Sequence, residues 1–292
     1  MLWGCTALLG RQISIQALPL VWYRLLFVVA VLALLLPVRG VPMRIPLRAA
    51  RVYAGVGAII GLHWLCFYAA VKEAGIATAV LSLSTIAFFT AVFEPIVFRR
   101  RVAASEIVIG AIVVVAAALL IQYELHADVV GLALGLGAAL LGAIFGVLNG
   151  KLARSEPPER LMFYELTAAA LVVTICFAVA PSQFVAPWDL STADAGWLVV
   201  LAVMCTVIPQ VWIIHVLRTL SPFTVAVSVN LEPVYALILS AAIFPAERAL
   251  SLRFYLGAGL LFALVIVNGV RKTRSRGAVI QPVRTSQESR ES

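Results

Sequence analysis

Glu232, followed by Pro233, stands near the middle of the apolar run 222–244. A carboxyl at such depth must be protonated, paired or in contact with water, and the proline removes a backbone donor and frees the carbonyl of Val229. Two chemistries suit it: proton exchange that accompanies movement of a solute, or capture of a substrate ammonium group. The plainer alternative is a hydrogen bond between helices. Thr224, Ser228, Glu232 and Tyr235 are spaced by four, four and three, which sets them on one helical face. Thr78, Ser82 and Thr85 repeat that spacing in the run 76–98. Polar residues inside a span are costly unless they face protein or water, so the paired stripes predict a cavity between two equivalent helices. Against this stands the habit of Ser and Thr of bonding the carbonyl four residues back.

Other side chains could reach the same interior. His63 and Trp64, with Phe67 one turn on, lie in the run 50–71, and Trp212 and His215 follow Pro209 in the run 194–217. Unperturbed histidine titrates near physiological pH, which makes the two histidines weaker candidates for proton exchange; packing is the commoner role. Trp3 and Tyr164 are expected to join the cavity wall. Glu94-Pro95 looks like Glu232-Pro233, but it precedes Arg99-Arg100-Arg101 by five residues, and an interfacial charge interaction is expected there. The stripe Gly142, Gly146, Gly150 is expected to let helices approach closely.

The elements that position these residues follow from composition. Of 292 residues 63% are hydrophobic and 12% charged, and the mean hydropathy is +1.04, whereas soluble domains run at about 45–50% apolar and about 25% charged. A spanning helix needs about 20 apolar residues. Apolar runs bounded by charge or proline fall near 1–15, 19–38, 50–71, 76–98, 105–122, 129–150, 161–180, 194–217, 222–244 and 253–270. The expected fold is therefore an all-α polytopic membrane protein of ten transmembrane helices, with no room left for an appended catalytic domain. The first run is short, either a shallow helix or part of a longer one. No cleavable signal peptide is expected, because Arg11 follows the apolar residues rather than preceding them.

Charge placement sets orientation. With the N-terminus in the cytoplasm, seventeen Lys and Arg fall on the inner side and four on the outer, with Arg24 left inside a span. That bias places both termini in the cytoplasm, and it accounts for the basic excess without nucleic acid as a partner. The tail 271–292 is polar, basic and aperiodic, and is expected to be disordered. The cysteines all lie in apolar runs without a C-x-x-C pair, so no disulfide or metal site is expected. No phosphate-binding loop, zinc-protease helix or nucleophile elbow occurs, and no cofactor is expected.

An internal repeat gives the count of ten its meaning. Gly10-Arg11, Tyr23-Arg24, Lys72, Thr78, Ser82, Gly110-Ala111 and Ala116 are echoed by Gly150-Lys151, Tyr164-Glu165, Arg218, Thr224, Ser228, Gly257-Ala258 and Ala263, at a spacing of 140 to 147 residues. The halves are read as 1–123 and 124–270, each with five helices; an odd number turns the second half upside down. Inverted repeats of this kind mark secondary transporters, with the site near the midplane. Inversion also sets Arg24 and Glu165 near opposite faces, so they are expected not to pair but to snorkel or bond locally.

The stretch Ser228-Val-Asn-Leu-Glu232-Pro233-Val-Tyr235-Ala, with Pro245-Ala-Glu247-Arg248 and Leu256-Gly257-Ala258, resembles the second repeat of EamA-type members of the drug/metabolite transporter superfamily. Leu2-Trp3-Gly4 and Arg24 resemble the matching first-repeat signature, and the likeness covers about residues 1–270. It brings Asn230 among the cavity candidates. The resemblance implies two inverted five-helix repeats in the inner membrane and export of small metabolites, amino acids among them. Two other readings stay open: uptake or exchange of another solute such as a sugar derivative, nucleobase or organic cation, and an intramembrane enzyme acting on lipid.

The charge bias makes residues 125–128 and 182–192 extracytoplasmic and residues 39–48 and the tail cytoplasmic. In a Cys-free variant, single cysteines in the first two segments are expected to react with an impermeant maleimide on intact cells. Strong labelling of the segment after Arg39 overturns the topology.

Overall fold

Lipid offers no water to a bare peptide group, so a chain this apolar must satisfy its backbone within each segment, as helix. The computed structural model describes residues 2–120, 129–243 and 252–279, and every regular element in them is helical. In chain order these are α1 (Gly4–Gln12), α2 (Ala17–Val38), α3 (Leu47–Ser84), α4 (Ile86–Phe98), α5 (Ala104–Leu120), α6 (Val129–Leu152), α7 (Pro158–Val179), α8 (Thr192–Ala202), α9 (Ile208–Val216), α10 (Pro222–Val229), α11 (Glu232–Ile243) and α12 (Leu252–Val279). A π-helical turn, Val203–Val207, joins α8 to α9. Among the described residues six stretches are long and apolar enough to cross a membrane: Ala17–Val38, Leu47–Phe98, Val129–Leu152, Pro158–Val179, Thr192–Val216 and Pro222–Ile243.

One join falls where the runs place it. The runs 50–71 and 76–98 read as two helices, and α3 is two helices that meet at a kink, the non-helical backbone of Gly75 (φ 81°, ψ 173°). That conformation is open to glycine alone, so one residue does the work of a loop. Two further breaks fall inside expected runs, at Thr85 between α3 and α4 and at Asn230–Leu231 between α10 and α11. Thr85 and Leu231 are 146 residues apart, the offset that also relates Thr78 to Thr224 and Ser82 to Ser228.

Of the tail 271–292, where disorder is expected, the described part 271–279 continues α12 to Val279. Extending an existing helix fixes one residue per bond gained, whereas starting one is unfavourable, so polar residues are carried along by the apolar turns before them. The expected boundary at 123/124, the segment 125–128 and the Pro245-Ala-Glu247-Arg248 motif lie outside the described residues.

Packing centres on α3, which lies against α6 and α7, while α2 lies on α7, α4 on α6 and α5 on α12. The closest approach uses small residues. A Cβ added to Gly57 would sit 2.1 Å from the Glu165 carbonyl oxygen, and one on Gly61 would sit 3.2 Å from Ala169. Gly57 and Gly61, a small-xxx-small pair on α3, therefore meet the Glu165 backbone, Ala168 and Ala169 on α7.

Polar ties fasten the helix ends. Glu94 accepts from the Phe223 backbone N–H at 2.7 Å, at the start of α10, and is 3.1 Å from Arg100. The expected charge interaction of Glu94 is present, and it is joined by a cap on a distant helix where the N-terminal dipole favours an anion. Asp194 accepts from the Ser14 N–H at 2.8 Å and hydroxyl at 2.5 Å, and Lys72 donates to the Ile13 carbonyl at 2.5 Å, which gathers α3, α8 and the α1–α2 turn.

Helical Gly→Ala ordinarily gains up to about 1 kcal/mol. Gly55→Ala, with open space around it, is expected to leave thermal unfolding in detergent unchanged or raised. Gly57→Ala is expected to lower stability by about 1–3 kcal/mol through overpacking; equal behaviour of the two variants would refute the contact.

Candidate functional site

Between α1, α2, α3, α4, α6, α9, α10 and α11 lies a cavity of about 160 Å³. Of the residues expected on its wall, the structure brings together Trp3, His63, Trp64, Phe67 and Glu232. Asn230 lines a smaller adjoining cavity of about 30 Å³, which Glu232 also borders. The remaining expected residues are elsewhere.

Their positions have physical reasons. The hydroxyls of Ser82, Thr85 and Ser228 donate to the carbonyls of Thr78, Ser82 and Thr224 at 2.8, 2.7 and 2.9 Å. Thr224 pairs with Ser221 at 3.0 Å. Local back-bonding has taken these groups, and neither they nor Thr78 line the cavity. Trp212 is 72% exposed and His215 is exposed as well, on the outer face of α9. Tyr164 donates to the Met43 carbonyl at the end of the α2–α3 connection. Tyr235 packs its Cβ near Gly4.

The largest omission is Arg24. It was expected to snorkel or bond locally, but it is 3% exposed and its guanidinium borders the cavity. Its Nε donates to Thr206 at 2.9 Å, one Nη to the Tyr68 hydroxyl at 2.8 Å, and its Cζ lies 3.9 Å from the centre of the Trp64 ring. Trp64 and Tyr68 are one turn apart on α3 and form an aromatic platform for the cation, a spacing visible in the sequence but not connected there to Arg24. The expected separation of Arg24 from Glu165 stands, since Glu165 bonds to Asn149 instead. Gln210 and Asn149 also reach the cavity; each is a polar residue in an apolar run, which is the signal that could have found them.

Electrostatically the cavity is bipolar. Arg24 and Glu232 both border it, a guanidinium and a carboxyl on one space. His63 donates from Nδ1 to the Ala138 carbonyl at 2.6 Å, since a carbonyl can only accept, and this orients the ring. Apolar walls come from Ile60, Phe67, Leu83, Ile86, Phe145 and Ile213, among others.

The glycine stripe of α6 is divided. A Cβ on Gly142 would meet His63 at 3.0 Å and one on Gly150 would meet Pro222 at 2.5 Å, whereas Gly146 has nothing within 4 Å and opens on the cavity. Two of the three glycines thus serve close packing as expected. The third supplies space.

A family model described as the EamA-like transporter family matches residues 1–123 and 129–270. The chain belongs to that family. This EamA-like protein is accordingly a multi-pass membrane transporter of the drug/metabolite transporter type. No curated protein matches the sequence. A solved crystal structure, described only as that of a protein, is 18% identical with a TM-score of 0.73 over 94% of each chain. At that identity the likeness concerns the fold.

Filling the cavity is expected to separate folding from transport in this EamA-like protein. Gly146→Leu should leave expression and thermal unfolding near wild type and reduce solute flux at least tenfold. Flux at the wild-type level would remove the cavity from consideration as the transport site.

Proposed function

We propose that this chain is an alternating-access secondary transporter that exports small zwitterionic metabolites, foremost amino acids with apolar side chains, across the inner (plasma) membrane. The observation that carries the reading is that Arg24 and Glu232 both line one largely apolar cavity. Two of the five N–H donors of Arg24 are committed to Thr206 and Tyr68. The others remain to grip a carboxylate, for which the planar guanidinium fork is well matched. Glu232 takes the ammonium group, and the space beside Phe67, Leu83, Ile86 and Gly146 takes the side chain. A cavity of about 160 Å³ is small beside drug-sized pockets of roughly 300–1,000 Å³, which suits a small solute.

In this reading ten helices form two inverted repeats, 1–123 and 124–270, with both termini in the cytoplasm. Cavity residues support the repeat: Trp64 and Gln210, Phe67 and Ile213, Leu83 and Val229, and Ile86 and Glu232 all lie 146 residues apart. Equivalent positions thus face one space, as a site on a pseudo-twofold axis requires. The breaks at Thr85 and Leu231 lie beside it, where discontinuous helices form transporter sites. Rocking of one half against the other would open the space to each side in turn. A proton gradient drives the cycle, and the solute leaves unchanged.

The test is flux into liposomes carrying the purified protein. A labelled apolar amino acid is expected to move, while the corresponding amine without a carboxylate and the acid without an ammonium group move at least tenfold more slowly. Arg24→Lys and Glu232→Gln should each remove the preference for the zwitterion, and Trp212→Phe, on the outer face, should keep it. Equal movement of amine and amino acid overturns the assignment of the two charges, and chemical change of the solute or of lipid overturns the transporter reading.

A further inference from the structure

Glu165 and Asn149 form a second polar site, beside the cavity and separate from the Arg24–Glu232 pair. Both are completely buried, at 0% exposure. Asn149 Nδ2 donates to one Glu165 oxygen, Oε2, at 3.2 Å and contacts the Phe145 carbonyl oxygen at 3.4 Å. The other end of each group, Asn149 Oδ1 and Glu165 Oε1, has no hydrogen-bond partner. Both are acceptors when the carboxyl is ionised, and leaving even one such atom unsatisfied in an interior costs about 1–3 kcal/mol.

A single proton removes both deficits. Carried on Glu165 Oε1, it donates to Asn149 Oδ1 while Nδ2–H continues to donate to Oε2, and the amide and the acid close a ring of two hydrogen bonds. We propose that Glu165 and Asn149 are a proton-binding site: the carboxyl holds one proton on Oε1 and shares it with the amide oxygen of Asn149. A metal cation fits less well. It would need about six oxygen ligands, and the pair presents two free ones.

The surroundings leave the proton to this pair. From α3, Tyr53 lies within electrostatic reach of Glu165, and His63 borders the cavity that Asn149 also lines. On α7 itself Arg160 is bound to Glu156. Arg24 on α2 donates to Thr206 and Tyr68 and borders the main cavity, and His215 on α9 is exposed. Gly57 of α3 packs on the Glu165 backbone and brings no side chain.

Asn149 also lines the main cavity, so it touches both sites. With the proton present, the amide is held at both ends. Without it, Oδ1 faces a carboxylate and is repelled toward the cavity, where it changes the wall that a solute meets. This link rests on the transporter reading; the proton site does not.

Infrared difference spectroscopy of the purified full chain in lipid tests the site with no solute added. As pH is stepped, a protonated carboxyl C=O band is expected that is lost in Glu165→Gln, kept in Glu232→Gln and displaced in Asn149→Ala, where the amide partner is gone. Should Glu165→Gln not fold, the other two variants still decide. A band that persists in Glu165→Gln, or one that Asn149→Ala leaves in place, overturns the proposal. So does a band that disappears when sodium chloride replaces choline chloride at constant pH, since a metal cation would then occupy the pair. Absence of solute flux in liposomes alongside the expected spectra would sink the transporter reading and leave the proton site standing.

Discussion

A charge among apolar helices is tolerated only when other elements come to it, and the burial of Arg24 sets that condition for this molecule. Its partners lie on α3 and on the π turn between α8 and α9, so α2 must sit where both can reach it. Each hydrogen bond to a buried charge contributes about 1.5–3 kcal/mol. The interaction holds segments from both halves of the chain at one depth. It also means that the cavity wall and the helix-packing core are made by some of the same side chains.

Space for a solute is then made by subtraction. Gly57, Gly61, Gly142 and Gly150 let backbones and rings approach closely, which draws the helices together around a centre. Gly146 and the breaks at Thr85 and Asn230–Leu231 work in the opposite sense, leaving room where the two halves face each other. Neither effect depends on large hydrophobic side chains. Lipid is as apolar as leucine, and close backbone packing is what remains to hold such helices together.

Much of the architecture was legible because the apolar runs are bounded by charge, proline or polar clusters, and helix takes up most of the described residues of each. The join at Gly75 falls between two of the runs, but that one residue makes it was hidden, since a glycine in a Gly-only conformation carries the same letters as a glycine inside a helix. For the site, Glu232, His63, Trp64 and Phe67 were legible from polarity and period, and Trp3 from its place in the first run. The hydroxyl stripes misled for a definite reason. The spacing of four that puts Ser82 and Ser228 on one face is the same spacing that lets them bond their own helix. Arg24 was missed because sequence separation conceals Thr206, 182 residues away, which makes burial possible.

The π turn itself has a consequence for how such a chain can change over generations. It holds one more residue than an α-helix would use for the same advance, and Thr206 within it donates to the Leu201 carbonyl at 2.7 Å while accepting from Arg24. At the position 146 residues earlier, Gly57–Gly61 are in unbroken α-helix. An insertion or deletion inside a membrane helix ordinarily rotates everything beyond it by about 100° and scrambles its packing faces. Winding the surplus residue into a π turn confines that rotation to one place, so the two halves could diverge in length without either losing its seat against the other.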